Sequence, residues 1–241
     1  MVEAETGVNT LPEFRKAQAI LCRTYLYNNL NRHLSEGFNL CDEVHCQAYK
    51  GQTPFTAEIY KSTNATSGLV ITGSDNNLIL APFHGNCGGE TETSENTWIN
   101  NHEYLRPLKD IYCLKSPNSN WSKSLTIKEW KVYLLKNDFD IKALSNAAFE
   151  MKGPGRKQYY KVGKDSMLTK QMRADWNLKS SYFQVFYKDG AVILKGHGYG
   201  HGVGLCQDGA MRMALLGKNY TEIINYYFKN VKIQQLNLIP K

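Results

Sequence analysis

Between residues 196 and 204 glycine takes every second position, in the run GHGYGHGVG. Each glycine inside a helix costs about 1 kcal/mol relative to alanine. His197 and His201 are four apart, as in a helical metal pair, but the glycines around them exclude that helix. The run follows the apolar stretch AVIL and precedes LCQDGAMRMALL, whose apolar residues recur at helical spacing. The pattern therefore predicts an irregular loop between a strand and a helix N-terminus. Such a loop lets a ligand approach the backbone closely while imidazoles supply polar contacts. A tight structural crossover with solvated histidines accounts for the same residues. A phosphate-cradling loop would need a Lys after the glycines, and a dinucleotide fingerprint would need the spacing G-x-G-x-x-G; neither is present.

The remaining elements alternate without strict strand–helix order. Residues 10–34 predict a long helix with Pro12 in its first turn. Phe14, Ala17, Leu21, Thr24 and Tyr25 recur at helical spacing and should face the core. A polar loop carrying Cys41, His45 and Cys46 ends near Gly51, and PFTAEIYKSTNA predicts a short helix. LVITGSDNNLILAPF predicts two strands around a turn at Gly73–Asn77, and HGNCGGETETSENTW a loop. After an irregular stretch from Pro107 to about Asn120, TIKEWKVYLLK predicts a helix with Thr126 as its N-cap. KGPGRKQYY predicts an excursion, and DSMLTKQMRADW a helix capped by Asp165. SYFQVFYKDGAVILKG predicts a hairpin turning at Asp189-Gly190, and TEIINYYF a last helix. The fold class expected is α+β: one mixed domain over 1–241 with antiparallel hairpins around a groove and a small insert around 106–165.

With 241 residues, 42% of them hydrophobic, the chain can bury a sizeable core. Lys and Arg outnumber Asp and Glu by 29 to 22, which favours anionic partners such as nucleic acid, acidic lipid or wall polymers. The basic residues are scattered singly and form no run of the kind that marks a nucleic-acid patch, so no nucleic-acid partner is expected. No apolar stretch approaches the roughly 20 residues that span a bilayer. The start, MVEAETGVNT, does not read as a signal peptide.

Four segments carry a resemblance. GHGYGHGVGLCQDGA, followed by M-x-M-A and by G-K-x-Y-x-E-I-x-x-Y-Y, resembles the signature of one bacterial family, that of stage II sporulation protein D and the LytB amidase enhancer. KAQAILCRTYLY at 16–27 resembles the helix K-A-Q-A-x-x-x-R-T-Y of that family. FHGNCGGETETSENTW at 83–98 resembles its loop H-x-x-x-G-G-x-T-E-x-S-E-x-x-W, and CQAY at 46–49 its Q-x-Y. The matches run in order along nearly the whole chain.

The resemblance implies a lytic transglycosylase. Such enzymes cut between N-acetylmuramic acid and N-acetylglucosamine in glycan strands stripped of stem peptides, and leave a 1,6-anhydro sugar. The family's catalytic glutamate stands eleven residues ahead of the helix Lys, which is Lys16 here, and so falls on Glu5. Gly7 replaces the proline usual two residues later, a departure from the family pattern. Lys16 and Arg23 from the helix, Gln47 and Tyr49, His84 with Gly88 and Gly89 from the glycine loop, and Tyr199, His201 and Gln207 from the last loop are the implied substrate contacts. The implied location is the cell envelope, reached by an upstream signal or anchor that this chain lacks. Glycan strands are the implied partner, with a cell-wall amidase as a further one. The rival reading within the same resemblance is a wall-binding enhancer of an amidase without turnover.

One carboxyl group suffices for this chemistry. Most glycosidases use two acidic residues, but here the sugar's own C6 hydroxyl closes on C1. A single carboxyl protonates the leaving oxygen and then takes the hydroxyl proton. It must start protonated near neutral pH, so partial burial has to raise its pKa. Lys16 and Arg23 would oppose that if they paired with Glu5, so they are expected to hold substrate hydroxyls or acetamido carbonyls. Glu92 and Glu95 are the alternative carboxyls, with Glu92 expected to orient the glycine loop. No cofactor is required for catalysis.

His33, Cys41, His45 and Cys46 fall within fourteen residues. Two thiolates and two imidazoles suit tetrahedral zinc, and some members of the family resemble this with a zinc in the same region. Its role would be structural. A Cys41–Cys46 disulfide in an oxidising envelope remains the rival. Cys22 and Cys206 sit among apolar neighbours and read as buried thiols. The family's loop carries a small residue where Cys87 stands, which admits a bridge from Cys87 to Cys113.

Overall fold

The computed structural model describes residues 1–43, 46–50, 57–98 and 100–238. A short helix, α1 (Val2–Thr6), leads through Gly7 to α2 (Pro12–Asn28). Pro12 opens α2 as predicted, and Phe14, Ala17, Leu21 and Thr24 are buried, while Tyr25 is half-buried. The helix stops at Asn28, six residues short of the predicted end. The Asn-rich run that follows competes for backbone groups; Asn29 Nδ2 donates to the carbonyl of Tyr25 at 2.8 Å. α3 (Ala57–Asn64) lies within the predicted second helix.

β1 (Leu69–Thr72) enters the predicted turn, but no full second strand returns along it. Among the described residues only the bridge Thr72–Leu78 forms, held by the Ile79 amide on the Ile71 carbonyl at 3.2 Å and the Gly73 amide on the Asn77 carbonyl at 2.9 Å. The Leu80 amide donates instead to the Tyr104 hydroxyl at 3.1 Å, and Pro82 has no amide to offer. β2 (Phe83–His84) and α4 (Ser94–Thr97) belong to the glycine loop.

β3 (Asn120–Thr126) runs into α5 (Ile127–Lys136), where Thr126 and Glu129 form a reciprocal capping box. The helix predicted from Asp165 is corrected here. β4 (Tyr159–Val162) and β5 (Asp165–Leu168) pair antiparallel around Gly163, and only then does α6 (Thr169–Asp175) begin. Gly163 takes φ 58°, which makes the tight return available. β6 (Phe183–Lys188) and β7 (Ala191–His197) form the predicted hairpin, with Asp189 and Gly190 both at positive φ. β3 joins that hairpin as a third strand in the order β3-β7-β6.

β8 (Leu205–Cys206) pairs in parallel with β2 and passes into α7 (Gln207–Leu215), followed by α8 (Tyr220–Tyr227) and β9 (Lys232–Gln235). The partner of β1 is β9, from the far end of the chain. The fold is thus α+β, helices with mainly antiparallel strands in small sheets.

Two buried clusters underlie it. One gathers Phe14, Leu21, Ile71, Leu205, Ile223 and Tyr227 from α2, β1, β8 and α8. The other gathers Trp130, Phe149, Tyr160, Met172 and Leu194. Burying each such large side chain contributes about 1.5–3 kcal/mol. The second cluster draws its buried side chains from residues 125–194. The site described next is built where the loops between these clusters meet.

Candidate functional site

The two glycine motifs need each other. β2 and β8 run side by side, and beyond them Asn86 and Tyr199 exchange both backbone hydrogen bonds, at 3.0 and 2.8 Å. The loops then cross so closely that a Cβ on Gly198 would stand 2.4 Å from the Asn86 carbonyl oxygen. A Cβ on Gly88 would stand 2.6 Å from Cβ of His197. Backbone meeting backbone, as much as ligand approach, accounts for glycine here.

Arg156, in a segment with no predicted role, ties the crossing from below. Its guanidinium donates to the carbonyls of Cys87 and Glu90, each at 2.8 Å, and lies 3.9 Å from the Glu92 carboxylate. Glu92 in turn accepts from the Thr93 amide and from Asn96, both at 2.9 Å, while its own amide bonds Gly202. Glu92 is thus engaged with its own loop.

A groove of about 990 Å³ opens between this crossing and the N-terminal helices. Glu5, His84, Tyr199, His201 and Gln207 all line it. Among the described residues, Glu5 is the only carboxyl group on its wall, while Arg32, Arg173 and Lys179 bring positive charge. Trp98 and Tyr199 present exposed aromatic rings to it.

Glu5 is half-buried on α1, not in a loop. Its Oε1 accepts from the Ala48 amide at 2.7 Å, and Gln207 Nε2 donates to its backbone carbonyl at 3.1 Å. Burial raises the pKa of its carboxyl, and the Ala48 bond offsets part of that rise. Both neighbouring imidazoles are neutral at pH 7. Burial holds His84 well below its ordinary value, with His201 adding to the effect, and burial brings His201 down to about 4. Val203 sets both tautomers: His84 Nδ1 donates to its carbonyl at 3.1 Å, and its amide donates to His201 Nδ1 at 3.0 Å. His84 Nε2 is then a buried lone pair with no partner among the described residues.

The other implied contacts lie off the groove wall. Lys16 pairs with Glu13 at 2.6 Å and lies over the Tyr220 ring. Arg23 donates to the carbonyls of Thr66 and Leu69, both at 2.7 Å, and so fastens α2 to the start of β1. Gln47 is buried and donates to the Cys22 carbonyl, and Tyr49 is exposed. Gly88 is buried against His197, and Gly89 is half-buried against Leu114.

Of the four residues singled out for zinc, His45 lies outside the described residues. His33, Cys41 and Cys46 come together, with donor atoms within 4.8 Å of one another. Cys46 Sγ stands 3.3 Å from His33 Nε2, while His33 Nδ1 meets the Glu36 carboxylate at 2.5 Å. A carboxylate behind an imidazole whose other nitrogen faces a thiol is the arrangement metal-binding histidines favour, so the donor set fits zinc. Cys41 and Cys46 are not joined by a disulfide in this structure, and neither are Cys87 and Cys113.

Trp98, Arg156 and Arg173 were not anticipated. Trp98 closes the glycine-loop motif, and a tryptophan after so polar a run was the available signal. Its ring lies 5.3 Å from that of His201. Arg156 and Arg173 come from segments with no motif, so only the fold brings them here.

Comparison with known proteins matches residues 1–72 to a family described as stage II sporulation protein. The sequence is 28% identical to stage II sporulation protein D of Bacillus amyloliquefaciens, over 98% of this chain and 72% of that protein. It is 28% identical to stage II sporulation protein D of Bacillus subtilis over the same shares of the two chains. It is 24% identical to the amidase enhancer of Bacillus subtilis, over 90% of this chain but only 37% of that protein.

Proposed function

We propose that this chain, a member of the stage II sporulation protein D and amidase enhancer family, is a lytic transglycosylase of cell-wall glycan strands. The observation that carries the reading is a half-buried carboxyl, Glu5, with its pKa raised by burial, the single one among the described residues on the wall of a groove that also presents neutral imidazoles, aromatic rings and cations.

The Glu5 carboxyl gives its proton to the oxygen between N-acetylmuramic acid and N-acetylglucosamine as that bond breaks. The C6 hydroxyl of the muramic residue closes on C1, and the Glu5 carboxylate takes the hydroxyl proton. No water is consumed, and the carboxyl ends as it began. The Ala48 amide holds Oε1, which leaves Oε2 to carry the proton. Protonating the leaving oxygen is worth about 10²–10⁴ in rate. Trp98 and Tyr199 offer faces on which sugar rings stack. His84 Nε2 accepts a sugar hydroxyl. Arg173 and Lys179 suit the lactyl carboxylates that glycan strands expose once stem peptides are gone.

The same reading gives His33, Cys41 and Cys46 a structural zinc, which would pin the loop that presents Ala48 to Glu5. It also gives the protein an envelope location.

The test is mass spectrometry of peptide-free glycan strands incubated with the protein and with Glu5→Gln. Anhydro-muramic ends from the wild type alone support the reading. Strands bound but uncut by both proteins favour the alternative, an accessory role beside an amidase, to which the similarity with an amidase enhancer points.

A further inference from the structure

Beneath the crossing of the glycine loops lies a cluster that the reaction does not use. Cys87, Asp110, Cys113 and Cys206 are all wholly buried, and their donor atoms lie within 4.8 Å of one another. Cys87 Sγ stands 3.3 Å from Cys113 Sγ and 3.3 Å from Asp110 Oδ2. A disulfide would bring the sulfurs to about 2.05 Å. Two thiolates on one tetrahedral zinc stand about 3.8 Å apart, given Zn–S bonds of about 2.3 Å.

The outer contacts are those of ligands. The amides of Cys87 and Gly209 donate to Cys206 Sγ at 3.3 and 3.4 Å, so the sulfur is held from outside the cluster. The Tyr227 hydroxyl donates to Asp110 Oδ2 and the Tyr112 amide to Oδ1, both at 2.9 Å, so the carboxylate is oriented by groups outside the cluster. Gly209 makes the room: a Cβ there would stand 2.4 Å from Asp110 Oδ2. Among the described residues Asp110 has no ion pair with Lys, Arg or His. Ionised beside three sulfurs, this carboxylate is costly to bury unless a cation joins it.

We infer that Cys87, Asp110, Cys113 and Cys206 together bind one thiophilic divalent cation, zinc by class, at a site separate from His33, Cys41 and Cys46. Three sulfurs and a carboxylate oxygen complete a tetrahedral set with no open position, the mark of a structural ion. Binding releases the three thiol protons to solvent as the ion loses its hydration water. The ion enters as the chain folds, because the finished site is sealed. It ties together the glycine loop, the segment around 110–113 and the start of α7, which hold His84, Tyr199 and Gln207 on the groove. The inference does not depend on the lytic reading, since an inactive protein would hold the ion equally.

The test measures zinc by plasma mass spectrometry in protein purified under reductant without chelator. Cys41→Ser/Cys46→Ser removes the outer site and leaves the core intact. That variant should retain one equivalent of zinc. Grown with cobalt, it should show the intense visible bands and sulfur-to-metal charge transfer of a tetrahedral thiolate site. Adding Cys113→Ser should abolish both, and if that chain fails to fold, the cobalt spectrum of the parent variant decides. Natively folded Cys41→Ser/Cys46→Ser protein that holds neither metal overturns the inference. So does an intact mass short by the two hydrogens of a disulfide, or cobalt bound without sulfur charge transfer.

Discussion

The Ala48 amide donates to Oε1 of Glu5 at 2.7 Å, across 43 positions of sequence. One oxygen of the carboxyl is thereby fixed and the other left to titrate. Burial raises the pKa and the amide lowers it, and burial is the larger effect. The group is thus suited to hold a proton above the ordinary carboxylate range.

For a general acid with a raised pKa, kcat should fall as pH rises through that value. His201, held near 4, should contribute no limb between pH 5 and 8. Glu5→Gln should lower kcat by about 10²–10⁴-fold, with strand binding unchanged. Stability gives an independent check. A carboxyl whose folded pKa is raised contributes stability that is present below its unfolded pKa and lost as pH rises through the folded one. Glu5→Gln should therefore melt higher than wild type at pH 7, and the gap should close by pH 4. An equal gap at both pH values would show that Glu5 is not the buried acid described.

Trp98→Ala removes an exposed ring that also packs on His201. Aromatic ring pairs are worth about 0.5–1.5 kcal/mol, and a sugar face on the Trp98 ring is expected to be of the same order. Affinity for glycan oligomers should fall about 3- to 10-fold with the far-ultraviolet circular dichroism unchanged. Trp98→Phe should recover most of it. An unchanged affinity in Trp98→Ala would remove the ring from the binding surface.

Arg23 separates a family motif from its local job. Its guanidinium holds two carbonyls at 2.7 Å between α2 and the entry to β1. Nη1 makes both bonds, and Nη2 reaches a third carbonyl, that of Thr63, at 3.5 Å. A lysine ammonium lacks that second arm, and losing a charged hydrogen bond costs about 1.5–3 kcal/mol. Arg23→Lys should lower the melting temperature while leaving the KM of the folded fraction near wild type. A raised KM with unchanged stability would return Arg23 to the substrate.

Much of this architecture is legible in the residues. Pro12, Thr126 and Asp189-Gly190 mark their elements because a cap or a turn is decided by neighbours in sequence. Glu5, His84, Tyr199, His201 and Gln207 were each implied by a motif, and the structure brings them to one groove. Trp98 carried only a weak local signal. β9 on β1 and Arg156 under the glycine loops were hidden, since each depends on partners 64 or more positions away. DSML misled for a related reason: its residues fit a helix start, and only pairing with Tyr159–Val162 makes it a strand.

The crossing of the two loops yields the sharpest comparison. Gly198 and Gly217 have nearly the same φ, 79° and 83°. A Cβ on Gly217 would meet nothing within 4 Å, whereas one on Gly198 would stand 2.4 Å from the Asn86 carbonyl oxygen, itself paired with the Tyr199 amide. Alanine at either site bears the left-handed penalty of about 1–2 kcal/mol. At Gly198 it also forces two backbones apart, at about 1–3 kcal/mol more. Thermal denaturation should therefore show Gly198→Ala well below Gly217→Ala. The separation of the loops would also displace Tyr199 and His84 from the groove, so Gly198→Ala should lose glycan binding at temperatures where it is still folded. Equal melting of the two variants would mean that the loops can part without loss, and that the alternating glycines serve the ligand and not each other.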